Sequence, residues 1–454
     1  MTLHINRSTL KLPEGINIFH RLDCVDRNYA QLTPNIGMQY VFEQKIDVDF
    51  LKKSLLELVK NIPALAGRAD FKAMKVSGKD NGIPFVVVDG YPGSANDHGQ
   101  IGSVQRNRKE FVIEPTSKKI IKGKAALMYV KLTNFLRGGC ILGITISHVL
   151  MDAAAFHMLV HLWSTIFISL KEDKYSPKLW NKKINFDRSL FQFGTNRDKE
   201  TLLEDIGRAG LPKPINFNGI FGKLTQYVSL KFLERIRRSD REIVYFSKER
   251  KERLKQVVTE ESGEPWITTY EALCAHFSKI ISELGGKETG KMQLLTVRDL
   301  RGRIDSENKE KHALFLGNAL FVYNIRTNFG KAYKTVGRGE IAACMRRASS
   351  RVTPELLKAD MDFVYDCLRS GYGYPGFDLR LPFISLNSQL NLDVYGVNFG
   401  AGKLLRVIPQ EVGDGLLFFP DGNGGVEIYL RDVMHPKRQK TLLTPEWQAR
   451  IFSI

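Results

Sequence analysis

Two residues four apart carry the clearest chemistry in this chain: His148 and Asp152, in His148-Val-Leu-Met-Asp152. The run Ile141-Leu-Gly-Ile-Thr-Ile-Ser147 before them reads as a buried strand. Ala153 onward reads as a helix, with Phe156, Leu159, Val160 and Trp163 on its apolar faces. His148 therefore falls at a strand-to-helix junction, where side chains commonly face a crevice. A neutral imidazole accepts a proton from a hydroxyl or amine near neutral pH. Asp152 is near enough along the chain to orient the ring or the local turn. A core histidine beside a helix-capping aspartate satisfies the same five residues, so both readings stand at this point. His157 and His161, on the following helix, are expected in packing or at the surface.

Other chemistries find little support. The five cysteines (Cys24, Cys140, Cys274, Cys344, Cys367) are scattered and form no C-x-x-C, so neither a metal site nor a redox pair is expected. Free thiols in a reducing cytosol are the simpler expectation. Gly371-Tyr-Gly-Tyr-Pro-Gly376 matches G-x-G-x-x-G. A dinucleotide fingerprint follows a strand and opens a helix, whereas this one follows a helical pattern and contains Pro375. The excess of 67 Lys+Arg over 49 Asp+Glu gives a net charge of +18, which favours anionic partners. The basic clusters at Lys118–Lys124, Arg235–Arg241, Lys248–Lys255 and Lys437–Lys440 lack interleaved stacking aromatics, so no nucleic acid is expected. The N-terminus has no apolar run of signal-peptide length. Cys140–Ile146 and Ala153–Ile168 fall short of about 18 uninterrupted apolar residues, so no membrane span is expected. A cytoplasmic monomer is the expectation.

The elements that must position His148 are legible. Alternating or β-rich runs predict strands at Met38–Phe42, Phe85–Val88, Ala126–Leu132 and Ile141–Ile146. A second set falls at Leu294–Val297, Ala319–Ile325, Leu416–Phe419 and Val426–Leu430, the last two joined by the hairpin signal Asp421-Gly-Asn-Gly-Gly425. Helical periodicity runs from Val48 to Ile62 before Pro63, from Thr269 to Leu284 before Gly285-Gly286, and from Pro354 to Leu368 before Gly371. The mixture predicts an α/β or α+β protein. The glycine- and proline-rich stretch around 185–230 reads as a connection between two halves.

H-x-x-x-D after an apolar strand resembles the CoA-dependent BAHD acyltransferases, and more broadly the chloramphenicol-acetyltransferase-like fold. Six further segments keep the family's order, one of them Val130-Lys-Leu-Thr-Asn-Phe-Leu-Arg-Gly-Gly-Cys-Ile-Leu-Gly143, which looks like the strands leading to its catalytic histidine. Leu51-Lys-Lys-Ser-Leu with Ile62-Pro-Ala-Leu-Ala-Gly-Arg68 is similar to its first helix and PLAGR segment. Phe186-Asp-Arg-Ser189 resembles its DRS element, and Ile267-Thr-Thr-Tyr-Glu-Ala-Leu-Cys-Ala-His276 its SSFEALTAH helix start. Asp299-Leu-Arg-Gly-Arg303 with Phe315-Leu-Gly-Asn318 resembles its R-x-R and YFGN pieces. Asn398-Phe-Gly-Ala-Gly-Lys403 stands where the family has DFGWGK. Asn387-Ser388 and the Phe-Gly-x-Gly-Lys ending look closer to fungal trichothecene-type acetyltransferases than to plant members.

The resemblance implies two similar α/β domains with mixed sheets and a channel between them. The expected bounds are 1–205 for the N-terminal domain, 206–230 for the crossover linker and 231–454 for the C-terminal domain. It implies acyl transfer from acyl-CoA, a co-substrate and not a resident cofactor, to a small-molecule alcohol or amine of secondary metabolism. The acyl group is expected to be acetyl. His148 would be the general base, Asp152 would hold the local loop, and Asn387 would stabilise the oxyanion. Lys255, Lys403 and Arg406 are candidates for the CoA phosphates, and Gly400 belongs to the NFGAG turn. Three departures stand out: Ala153 replaces the family's usual Gly, Asn398 its acid and Ala401 its Trp. Asn398 cannot form the ion pair that the family's acid makes with the arginine matched by Arg301. These departures motivate a second reading, a non-catalytic binding or regulatory protein of the same fold. Ser147, where peptide-synthetase condensation domains carry a second histidine, argues against that branch.

Overall fold

The computed structural model describes residues 3–33, 35–78, 82–104, 108–177, 185–186, 188–208, 241–284, 290–304, 314–372, 378, 381–410, 415–431 and 440–454. Residues 209–230 of the expected linker, Asp187, Gly285-Gly286 and positions 373–376 lie outside them.

The strands in chain order are β1 (His4–Leu10), β2 (His20–Arg21), β3 (Asn35–Phe42), β4 (Arg68–Asp70), β5 (Lys75–Ser77), β6 (Ile83–Tyr91), β7 (Met128–Phe135) and β8 (Cys140–Ser147). They continue with β9 (Glu242–Phe246), β10 (Lys291–Asp299), β11 (Leu320–Asn328), β12 (Phe383–Ser388), β13 (Leu404–Pro409), β14 (Gly415–Pro420) and β15 (Val426–Arg431). The α-helices are α1 (Cys24–Leu32), α2 (Val48–Asn61), α3 (Ser117–Ile121), α4 (Ala153–Lys171), α5 (Lys199–Arg208), α6 (Lys248–Ser262), α7 (Thr269–Glu283), α8 (Arg338–Ser350), α9 (Pro354–Arg369) and α10 (Pro445–Phe452).

The chain divides into two units. The first comprises Met1–Phe191, Glu307–Ala319 and Leu392–Glu411. Its main sheet runs β1-β6-β7-β8-β3-β13, with a small sheet β2-β5-β4 beside it. β6 and β7 are parallel and the other neighbours antiparallel. One face of β3 meets α4: Phe42 packs on Phe399, which also packs on Trp163 and Phe167. Trp163 Nε1 donates to Ser54 Oγ of α2 at 2.9 Å, so the two helices are tied as well as packed. The other face gathers Val41, Phe111, Phe135, Ile141 and Ile408. Gly143 of β8 has a packing reason, since a Cβ there would stand 1.9 Å from the Phe111 carbonyl oxygen. By length and composition α4 is apolar enough to cross a membrane, which the sequence reading did not anticipate. Its Phe156, Leu159, Val160, Trp163 and Phe167 are buried, so the apolarity serves the core of this unit.

The second unit comprises Gln192–Ser306, Leu320–Asn391 and Val412–Ile454. Its sheet runs β11-β10-β12-β14-β15-β9, with β10-β12 and β12-β14 parallel. α6, α7 and α8 supply its core through Leu254, Val258, Leu273, Phe277 and Ile341 against Leu294, Leu386 and Phe418.

These units differ from the expected domain bounds at three places. β13 lies within the segment assigned by sequence to the C-terminal domain, yet it pairs with β3 along Leu404–Pro409. Asn398 and Gly400 therefore belong to the first unit, as do Phe315 to Asn318. Conversely, residues 192–208 belong to the second. Asp366 of α9 accepts from the backbone N–H groups of Thr195 and Asn196, and Asp362 accepts from Gly194 N–H. Such exchanges leave no local trace in hydrophobic periodicity, which reports an element and not its partner.

Candidate active site

His148 stands in the turn joining β8 to α4. Ser147 N–H donates to Leu127 O, and Leu150 N–H closes the turn on Ser147 O at 3.0 Å. Asp152 is the N-cap of α4, with its Oδ1 accepting from Ala155 N–H at 3.0 Å. Its Oδ2 accepts from the backbone N–H of Ala319 at 2.7 Å. Asp152 thus binds a segment 167 residues downstream into the first unit, directly beside Asn318. Asp152 caps α4 with one oxygen and holds Ala319 N–H with the other.

Asn318 is the residue that motif reading underused. Its Nδ2 donates to the carbonyl oxygen of His148 at 2.8 Å and to Asp26 Oδ1 at 2.9 Å. Its Oδ1 lies 3.1 Å from His148 Nδ1. With two acceptors on Nδ2, the amide orientation is set and Oδ1 can only accept. In this orientation the Asn318 oxygen favours a neutral His148 with its hydrogen on Nδ1, which leaves the lone pair on Nε2. The YFGN-like segment was visible in the sequence; what was not visible was its return to the first unit.

Helix α1 supplies the other wall. Asp26 and Tyr29, three apart, share a helix face. Tyr29 stacks on His148, with ring centroids 4.4 Å apart and planes inclined by 17°. His148 is half-buried, and burial holds its pKa below the ordinary imidazole value. Asp152, the backbone and Asn318 pull the other way. The ring is thereby kept neutral and ready to accept a proton at neutral pH.

The profile of the Transferase family matches residues 37–434 of the chain. The chain belongs to the BAHD transferase family. As a BAHD member it is an acyltransferase by family. No curated protein matches it at the sequence level. Among solved structures it is similar to TRI101 of F. sporotrichioides, complexed with coenzyme A and T-2, at 14% identity and TM-score 0.67, covering 95% of this chain and 98% of that one. It is equally similar to vinorine synthase, at 16% identity and TM-score 0.67 over 99% and 98% of the two chains. The first condensation domain of the calcium-dependent antibiotic synthetase shares the fold more loosely, at TM-score 0.53 and 12% identity over 96% of each chain.

The other BAHD-suggested positions fall as follows. In the first unit, Phe399 is buried, while Asn398 is exposed and its Oδ1 accepts from Gly400 N–H at 2.8 Å. Gly400 has φ +62°, a left-handed conformation that favours glycine. Lys403 is exposed. Arg406 requires a correction: it is fully buried and donates to Gln100 O at 2.6 Å, Ser103 Oγ at 3.0 Å and Ser103 O at 3.1 Å. A guanidinium sealed against that loop is a structural cation, not a ligand for CoA phosphates. In the second unit, Asn387 is half-buried on β12, Lys255 is exposed on α6, and Arg301 pairs with Asp299 at 3.0 Å. The structure brings His148 and Asp152 together around Asn318. His157 is buried, and His161 lies 2.7 Å from the Asp393 carbonyl oxygen, both as packing residues. Among the described residues no group of three or more His, Cys, Asp or Glu is placed to hold a metal.

Proposed function

We propose that the protein transfers an acyl group, acetyl in the first instance, from acyl-CoA to a hydroxyl or amine of a small-molecule, secondary-metabolite acceptor. The observation that carries the proposal is the 3.1 Å contact of His148 Nδ1 with Asn318 Oδ1, whose amide donates to the His148 carbonyl; an Nδ1–H ring in that contact leaves Nε2 as a proton acceptor. The acceptor's O–H or N–H gives its proton to Nε2 as the acceptor atom attacks the thioester carbonyl. The tetrahedral oxyanion collapses, the C–S bond breaks, and the CoA sulfur takes the proton back from the imidazolium. Such a placed base contributes about 10²–10⁴-fold. Asn387 is the candidate donor to the oxyanion, and Lys255 and Lys403 are candidates for the CoA phosphates through charge-assisted hydrogen bonds. TRI101 structures complexed with coenzyme A and with T-2 or deoxynivalenol support this class of co-substrate and acceptor.

A second reading, a non-catalytic binding protein, rests on Ala153, Asn398 and Ala401. Of these, Ala153 weakens the enzyme reading least, because Asp152 caps α4 with an alanine beside it. The test is incubation with acetyl-CoA and a panel of alcohols and amines, following thiol release. Full turnover by His148→Ala would sink the mechanism. Absence of acyl-CoA binding at micromolar concentration by calorimetry would sink the proposed co-substrate.

A further inference from the structure

We propose that Asp26 is a positioning residue which, through Asn318, selects the Nδ1–H tautomer of His148 and so keeps Nε2 available as a base. The reactive role of Nε2 rests on the acyl-transfer reading; the tautomer selection does not.

Asp26 is fully buried in the first turn of α1. Three donor groups surround its carboxylate, with the carboxylate of Asp23 near them. Asp23 N–H donates to Oδ2 at 2.9 Å, closing a capping box in which Asp23 Oδ1 accepts from Val25 and Asp26 N–H. Arg188 Nη2 lies 2.8 Å from Oδ2. Asn318 Nδ2 donates to Oδ1. Two of these three donors cannot become acceptors: a backbone N–H and a guanidinium. The primary amide of Asn318 can, because a half-turn about its last bond exchanges its oxygen and nitrogen. Burial raises the Asp26 pKa to about 7 against the pull of Arg188, Asn318 and Asp23 N–H, so above that pH the ionised carboxylate is the group that forbids this half-turn. A turned amide would place its oxygen against the Asp26 oxygen and offer NH₂ to His148 Nδ1. That ring nitrogen would then have to accept, its hydrogen would move to Nε2, and the base would be lost.

Arg188 favours this charge, though burial outweighs it. Besides Asp26 it meets Asp23 Oδ2 at 3.3 Å, and its Nε donates to His20 Nε2 at 3.3 Å. Burial, aided by Arg188, holds His20 down to about 3, so it accepts from the guanidinium without adding a second positive charge. A buried ion pair is seldom retained for stability, since apolar residues of similar volume often serve as well. Here it gives Asn318 one orientation.

The experiment is ¹⁵N NMR of protein labelled on histidine, with the His148 signals assigned by their loss in His148→Gln. Above pH 7, with Asp26 ionised, wild-type His148 is expected as the Nδ1–H tautomer; an Nε2–H signature there overturns the proposal whatever any variant does. In Asp26→Ala the Nε2–H form is expected to appear. The isosteric Asp26→Asn has the same expected sign: Arg188 draws the amide oxygen to itself, leaving NH₂ facing Asn318. Both variants should lower kcat about tenfold or more with an unchanged KM for acyl-CoA. A folded variant of either kind that keeps the Nδ1–H signature overturns the proposal, even if its activity falls. The signal is read without substrate. A wild type that shows Nδ1–H, and loses it in the variants, but transfers no acyl group would support the positioning role and sink the proposed activity.

Discussion

The ring of Tyr29 lies on the imidazole of His148, 4.4 Å between centroids and within 17° of parallel. One face of the imidazole is thereby kept from water, which favours its neutral form. Tyr29→Ala is expected to rewet that face and let the His148 pKa rise toward the ordinary value of 6.5. Since only neutral His148 can act as base, activity is lost as pH falls through this pKa. The acid limb of kcat/KM therefore lies below 6.5 in the wild type and moves upward in Tyr29→Ala, while Tyr29→Phe retains the wild-type limb. A pH profile of thiol release from acetyl-CoA measures both; identical limbs in all three proteins would refute the stacking argument.

Asn318→Ala removes the acceptor on His148 Nδ1 and frees the ring tautomer. The expected loss in kcat is about 10²-fold, within the range of a mispositioned general base. The KM for acyl-CoA should stay within about twofold, since the contacts described for Asn318 lie around His148 and Asp26. Steady-state kinetics at saturating acceptor separate the two parameters.

Asp152→Ala strands two backbone donors, Ala155 N–H at the start of α4 and the buried Ala319 N–H. A lost cap and an unsatisfied buried donor together cost about 2–4 kcal/mol. Asp152→Asn keeps one acceptor and should lose about half as much. Urea unfolding monitored by circular dichroism gives both numbers, and equal midpoints for the three proteins would show that the aspartate is not holding these segments.

Arg406→Lys tests the corrected assignment. A lysine ammonium lacks the fork that lets Arg406 bind Gln100 and Ser103 through two nitrogens, so unfolding should come at lower urea by an amount equivalent to about 1–3 kcal/mol. Affinity for CoA should be unchanged. A large loss of CoA binding by calorimetry at unchanged stability would restore Arg406 to the phosphate site.

His276 supplies a pH signature of the second unit. It is buried on α7, 2.9 Å from the Ile451 carbonyl oxygen, and burial lowers its pKa to about 4. The unfolded chain binds a proton near 6.5, so the stability present above that value is lost as pH falls toward 4. Between pH 7 and 5 the loss is about 2 kcal/mol from this group. His276→Gln should flatten that part of the curve, as measured by unfolding midpoints at the two pH values.

Much of this was legible in the sequence where local pattern sufficed. α2 starts at Val48 and stops before Pro63, α9 runs Pro354–Arg369 before Gly371, and the hairpin at Asp421 joins β14 to β15. β1 was missed because its residues are exposed and carry no buried alternation. β13 was missed as a member of the first sheet because pairing partners 362 residues apart, Leu404 and Phe42, leave no periodic signal. His148 and Asp152 could be chosen from five adjacent residues. Asn318, Asp26 and Arg188 could not be joined to them, since hydrogen-bond partners across hundreds of residues are fixed by the fold alone. Arg406 was misread because charge in a sequence suggests solvent, and a buried guanidinium is the exception.

The outer strand of the first sheet is synthesised more than 350 residues after the strand it pairs with. Until residue 409 has left the ribosome, β3 exposes a bare edge of backbone donors and acceptors, the kind of surface that recruits wrong partners. His148 likewise waits for Asn318. Half-genes cut in the 206–230 region should therefore yield an N-terminal piece that aggregates, and co-expressing the second half should rescue it by strand complementation.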